Sequence, residues 1–152
     1  MPAPSLDLVM WLHTGSALYL CGLIWFVQLV HYPLMARVGS DAYPAYARQH
    51  QRLTTLVVAP AMLIEAITAI LLFVAPESSS TRPLATTGLA LVACIWASTI
   101  WLQVPCHERL GRGYDSGAVR RLVRTNWIRT VAWSARGGIA MAMLVAYSPA
   151  TP

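Results

Sequence analysis

Residues 53–75, LTTLVVAPAMLIEAITAILLFVA, decide the class of fold. The run matches the roughly 20 apolar residues that cross the hydrocarbon of a bilayer as a helix. It carries one charged side chain, Glu65. Working outward, three more runs of spanning length appear, at 8–30, 84–104 and 127–147. The first has no basic residue ahead of it and is too long for the core of a signal peptide, so it reads as a retained span.

Composition agrees. The chain has 152 residues, 57% hydrophobic and 11% charged, against about 25% charged in an average soluble domain. That excludes a disordered tail, a coiled coil and an ordinary soluble enzyme domain. Three cysteines without CxxC spacing make no disulfide scaffold. The net charge of +5 comes entirely with arginine, since no lysine is present. A chain this apolar cannot offer nucleic acid a large solvated basic face, so the arginines suit membrane-surface phosphates.

Most arginines mark two turns. Arg37, Arg48 and Arg52 lie between spans 1 and 2; Arg109, Arg112, Arg120, Arg121, Arg124 and Arg129 lie between or beside spans 3 and 4. The connection between spans 2 and 3 holds only Glu77 and Arg82, the N-terminal segment only Asp7, and the C-terminal tail no charge. The positive-inside rule puts both Arg-rich turns in the cytoplasm and both termini outside.

The halves also align at a constant offset of 76 residues. Ile24-Trp25 falls on Ile100-Trp101, His31 on His107, Ser40 on Ser116, Arg48 on Arg124, Thr54 on Thr130, and His50 on Asn126. Each half holds two spans, so the halves share one orientation, as parallel repeats do. The expectation is an all-α integral membrane protein: one transmembrane domain over 1–152, an up-down-up-down four-helix bundle of two αα-hairpin repeats, about 8–75 and 84–147. Gly39 is expected to end helix 1 and Ser40 to cap helix 2, which then runs over 41–75 with Pro44 in its first turn. Helix 4, capped by Asp115 or Ser116, is expected over 117–147.

In an antiparallel hairpin, residues equidistant from the turn share a height. His31, His50, His107 and Asn126 then form one polar layer near the Arg-rich end, one residue per helix. Gln28 and Gln103 precede His31 and His107 at spacings that share a helix face, which makes them supports for those histidines. Three imidazoles in a bundle interior suit a transition metal (Fe, Cu or Zn), with His31, His50 and His107 as ligands; His31 and His107 could instead flank a haem b. The alternatives are that these groups only hydrogen-bond to one another, to water or to lipid phosphate, or that they line a metal-free substrate pocket. A deeper layer holds Glu65, Arg136 and His13. Ionised groups inside a bilayer are paired or functional, so Glu65 is expected to pair with Arg136 and to accept a hydrogen bond from His13. That layer is either a structural ion pair or a proton relay or anion clamp. Pro33, Pro60 and Pro105 are expected to kink their spans. Trp25, Trp101 and Trp133 are core or cofactor walls. Cys21, Cys94 and Cys106 are packing residues, and Gly137-Gly138 permits close helix approach.

Residues 27–34 (VQLVHYPL), 103–110 (QVPCHERL) and 125–130 (TNWIRT) resemble a group of small bacterial four-span membrane proteins of unassigned function. The resemblance implies a multi-pass protein of the bacterial inner membrane and brings no activity. The first half also resembles the haem-binding bacterial membrane protoporphyrinogen oxidase. Leu12-His13, Tyr32-Pro33-Leu34, Arg52-Leu53 and Pro60-Ala61-Met62 carry that likeness, with Leu34 where that family has arginine. It implies a haem ligand at His13 and redox chemistry among the helices. Taken together, the leading expectation is a metal- or haem-dependent oxidoreductase or oxygenase acting on a lipophilic substrate from the bilayer. The alternatives are a small-solute binder or transporter using Glu65 and Arg136, and an accessory subunit of a membrane complex. Homo-oligomerisation stays open.

Overall fold

The computed structural model describes residues 5–75 and 81–147, and all of them lie in helices or in the short turns around them. Glu77 and the C-terminal residues 148–152 lie outside the described residues. Four helical rods follow in order: α1 (Leu6–Met35), α2 (Tyr43–Val74), α3 (Arg82–Arg112) and α4 (Ser116–Ala146). Ser5 caps α1, its hydroxyl accepting the Leu8 N–H at 3.4 Å. Asp7 adds a negative charge to that first turn, where the helix dipole favours it.

The helix starts and stops differ in detail from expectation. α1 ends at Met35, ahead of Gly39, and α2 begins at Tyr43 with Ala42 at its N-cap. Ser40 donates instead to Asp41 at 3.2 Å. Pro44 does sit in the first turn of α2, where its missing N–H costs little. α4 begins one residue early because Asp115 caps it, accepting N–H bonds from Gly117 and Ala118 at 2.8 and 2.9 Å.

Prolines shape α1 and α3 through wide turns. α1 contains a π turn over Val27–His31, closed by the Tyr32 N–H bonding to Val27 O. α3 contains another over Thr99–Gln103, closed by Val104 N–H to Thr99 O. Each is followed directly by X-Pro, Tyr32-Pro33 and Val104-Pro105. A proline has no N–H and crowds the carbonyl four residues back; a bond reaching five residues back instead relieves that position. α2, by contrast, runs through Pro60 as one helix.

Each rod packs on two others: α1 on α2 and α4, and α3 on α2 and α4. Three apolar clusters stack along the rods. Tyr32, Met35, Tyr43, Leu110 and Leu122 fill the end beside the α1–α2 and α3–α4 turns. Leu20, Ile24, Met62, Ile95 and Trp133 fill the middle, and Met10, Ala85 and Met143 the far end.

The side chains sort in the sense opposite to a soluble domain. His13, Gln28, Glu65, Gln103, Asn126, Thr130 and Arg136 are buried. Meanwhile Leu56, Trp101, Val131 and Val145 are 65, 71, 63 and 82% exposed. A continuous apolar surface of this kind is unstable in water, whereas lipid is as apolar as the side chains that face it. α1, α2 and α3 are each long and apolar enough to cross a membrane. α4 does not join them on that measure, because Arg129 and Arg136 interrupt its apolar run.

Asp115 lies in the turn between α3 and α4. The Ala118 N–H, foremost, then the charge of Arg109 and the other bonds it accepts, hold its carboxyl below its ordinary value of 3.8. Arg109 Nε pairs with it at 2.6 Å. A depressed folded value means that the stabilisation is present above the unfolded pKa and is lost as pH falls through the folded one. The first-turn amides of α4 should therefore keep their hydrogen-exchange protection at neutral pH and lose it only below about pH 4. Asp115→Ala should lose it at every pH, and Asp115→Asn, which still caps, should retain most of it.

Candidate functional site

The middle of the protein is built around a charge that no water reaches. Glu65 on α2 and Arg136 on α4 are each 1% exposed, and Arg136 Nε donates to Glu65 Oε1 at 3.2 Å. Trp133, one turn before Arg136, donates its indole N–H to Glu65 Oε2 at 3.0 Å. His13 on α1 joins from the other side, but not through the carboxylate as expected. Arg136 Nη2 lies 3.3 Å from His13 Nε2, and His13 Nδ1 lies 3.1 Å from Thr68 Oγ1. A guanidinium only donates, so Nε2 accepts and the ring proton sits on Nδ1, donated to Thr68. Thr68 in turn donates to Ile64 O at 2.7 Å.

α3 contributes an absence. A Cβ on Gly88 would stand 2.5 Å from Arg136 Nη1. Only a glycine lets the guanidinium lie against α3 here, and Gly88 drew no attention in the sequence. All four rods thus meet at one ion pair. Every ring nitrogen of His13 and both carboxylate oxygens are engaged, which suits a structural role.

The histidines of the upper layer do come together. The His31 and His50 rings stack with centroids 4.4 Å apart and 24° between planes; His50 and His107 are 5.5 Å apart and tilted by 41°. His50 Nδ1 is 3.0 Å from Thr54 Oγ1, and His107 Nε2 is 3.4 Å from the Tyr32 hydroxyl. Asn126 does not join them. Its Nδ2 donates to Gln28 Oε1 at 2.7 Å, a buried bond between α4 and α1. Nor do the glutamines support the histidines. Gln28 donates to Val123 O at 3.3 Å, and Gln103 donates to Thr125 Oγ1 at 2.9 Å. For Gln28 the reason is the π turn, which widens the helix between Gln28 and His31 and turns them onto different faces.

The rings of this layer stack and tilt against one another. Imidazole lone pairs lie in the ring plane, so two rings stacked nearly parallel direct them along separate planes. Among the described residues no group of three or more His, Cys, Asp or Glu is arranged to hold a metal ion. His31, His50 and His107 are thus neighbouring rings, one pair stacked and one tilted, and their role as metal ligands gains no support. The His50 ring stands against both His31 and His107, which gives no support to a haem between them. The haem ligand implied at His13 is likewise unsupported, since both ring nitrogens already have partners.

Beside the histidines lies a cavity of about 390 Å³. Leu20, Ile24, Val58 and Met62 line it towards the ion pair; Tyr32, His50, Gln103, His107 and Arg129 line it towards the hairpin turns. Its exposed lining residues include Thr55 on α2 and Val104 and Glu108 on α3, so it reaches the surface between those rods. Four lining atoms are buried with no hydrogen-bond partner: Trp96 Nε1, Gln103 Oε1, His107 Nδ1 and Arg129 Nε. Each such group costs about 1–3 kcal/mol while it stays unsatisfied. Arg129 lies over the Trp133 ring, 5.3 Å from its centroid.

Sequence reasoning treated Arg129 as a turn arginine and left Trp96 unmentioned. The signal for Arg129 was its spacing of seven residues from Arg136, about two helical turns, which puts both on one face. Trp133 is core, whereas Trp101 and Trp25 face outward. Trp25 donates to Ser134 Oγ at 3.0 Å. Cys106 is buried in the apolar cluster at the turn end, Cys94 is exposed, and none of the three cysteines is bonded. With known protein families, curated proteins and solved structures the chain shows no match.

Removing one member of the ion pair strands the other. Arg136→Met should cost about 3–5 kcal/mol in unfolding free energy, and Glu65→Leu a similar amount. The double variant should recover much of that loss in a double-mutant cycle followed by denaturant unfolding in micelles. Gly88→Ala should cost about 1–3 kcal/mol by overpacking in the wild-type background and much less beside Arg136→Met, where the clashing nitrogen is gone.

Proposed function

We propose that this chain is a multi-pass protein of the bacterial inner membrane that binds a lipophilic small molecule, drawn from the bilayer, in the cavity between its helices. In this reading α4 is the fourth span. The protein is an up-down-up-down four-helix bundle of two hairpin repeats, with its Arg-rich turns in the cytoplasm and both termini outside. Support for the spans comes from the apolar exterior and the polar residues buried between the helices. Support for the repeat comes from the paired π turns, each ending at X-Pro. Those turns are 72 residues apart, not 76, so the halves share the device with a shift of about one helical turn.

One observation carries the binding function: a cavity of about 390 Å³ with four unpartnered polar atoms on a mostly apolar wall. Small-molecule sites have this form, mostly apolar with a few convergent polar groups, and volumes of roughly 300–1,000 Å³. The opening between α2 and α3 faces the lipid along Thr55 and Val104. Because the imidazoles stack instead of converging and the Glu65 network is closed on itself, the reading is a binding site served by hydrogen-bond donors. A metal-dependent oxygenase would need converging ligands, and a transporter working through Glu65 would need that carboxylate open to solute.

Trp96 and Trp133 line the cavity, so their emission reports its occupancy. A chain-brominated fatty alcohol should quench a saturable fraction of the tryptophan fluorescence of the purified protein in micelles, with one equivalent bound. Val58→Trp, which fills the apolar part, should weaken that saturable binding by at least about tenfold while circular dichroism stays unchanged. Quenching that never saturates, or that Val58→Trp leaves unaltered, would refute the binding site.

A further inference from the structure

We infer that the molecule held in this cavity is a single-chain amphiphile with an anionic head, and that Arg129 is the group that recognises the head. This rests on the binding function proposed above and names the chemistry of its ligand.

The protein contains its own control. Arg129 and Arg136 lie on the same face of α4, about two turns apart. Arg136 is given a carboxylate, Glu65, at 3.2 Å. Arg129 is given none: among the described residues there are two ion pairs, Arg136 with Glu65 and Arg109 with Asp115. Its Nε is buried and unpartnered, its guanidinium lies over the face of Trp133, and Tyr32 and His107 are within reach of its charge, but none of these is a carboxylate. An arginine within a membrane protein is costly without a counter-charge. The missing charge belongs in the space that Arg129 lines.

A second, independent group points the same way. Trp96 Nε1, on α3, also lines the cavity, is buried and has no partner. An indole N–H donates only, and so does a guanidinium. Both therefore call for an acceptor, and an oxyanion answers both, through charge-assisted bonds about twice as strong as neutral ones. The remaining charged lining residue, Glu108, is exposed at the opening, where solvent and lipid head groups screen it. His50 and His107 line the same end, and Gln103 Oε1 adds an acceptor for a hydroxyl or water beside the head.

The shape sets the rest of the ligand. Polar lining residues of α1, α2 and α3 fall towards the hairpin turns, and apolar ones, from Leu20 to Met62, fall towards the ion pair. Trp96 and Trp133 pack with Leu20, Ile24, Val58 and Met62, so a head held by Arg129 and Trp96 sits against that apolar cluster, which gives the tail its wall. A volume of about 390 Å³ lies at the small end of ligand cavities, which suits one chain.

Competition against the brominated probe tests this with three ligands of equal chain length: dodecanoate, dodecyl phosphate and dodecanol, at about pH 8 so that the carboxylate is ionised. At least one anion should displace the probe at a concentration at least about tenfold below that of the alcohol. Which anion does so distinguishes a free carboxylate from a phosphate head. Arg129→Gln should abolish the preference while leaving dodecanol binding in place, and Arg129→Lys, which keeps the charge, should retain part of it. Equal displacement by all three in the wild-type protein would overturn the anionic head and leave the binding site standing. A preference that survives Arg129→Gln would overturn the role of Arg129. If none of the three displaces the probe, the binding function itself falls. The wild-type comparison needs no variant, so a poorly folding Arg129→Gln does not remove the test.

Discussion

A single buried ion pair sets the arrangement of this protein. Glu65 and Arg136 face each other at 3.2 Å, each about 1% exposed. In such surroundings neither charge is tolerable alone. Their meeting fixes the rotation of α2 against α4. Trp133 closes the second carboxylate oxygen, His13 brings in α1, and the bare backbone at Gly88 brings in α3. Because α4 is a regular helix, fixing Arg136 also fixes Arg129 two turns away on the same face. The cavity and its unpaired guanidinium follow from the rotation that the ion pair imposes.

Many of the other buried polar groups satisfy one another. Gln28 pairs with Asn126, Gln103 with Thr125, and Ser134 takes the Trp25 N–H. Short helix-to-backbone bonds from Thr68, Thr99, Thr125 and Thr130 absorb the small hydroxyls. Buried polar atoms without a partner remain at several places, among them Thr14, Tyr43 and Ser98, and four of them line one cavity. Those four share a cavity of about 390 Å³.

Much of the fold was legible in the sequence, for a physical reason. The lengths and apolarity of the spans over 8–30 and 53–75 reappear within α1 and α2, because hydrocarbon thickness leaves little choice of length. The pairing of Glu65 with Arg136 was legible too, since two lone opposite charges in apolar runs have few other solutions. Positions counted from the turns brought His31, His50 and His107 near one another. What failed was rotation. Gln28 was assigned to His31 on ideal helix geometry, and a π turn before Pro33 turned it towards α4. Asn126 was counted into the histidine layer, and it found Gln28 instead.

The sequence by itself determined a helical, apolar-surfaced chain with charge collected at two turns, because bilayer thickness and backbone hydrogen bonding act on composition and spacing alone. Only the tertiary structure decided which polar groups were used up by the fold and which were left over. His13 was expected to bond to Glu65 and bonds instead to Arg136 and Thr68; Arg129 looked like one more turn arginine and is a half-buried cation without a carboxylate among the described residues. That distinction depends on helix rotation and on two wide turns, which one-dimensional spacing does not encode.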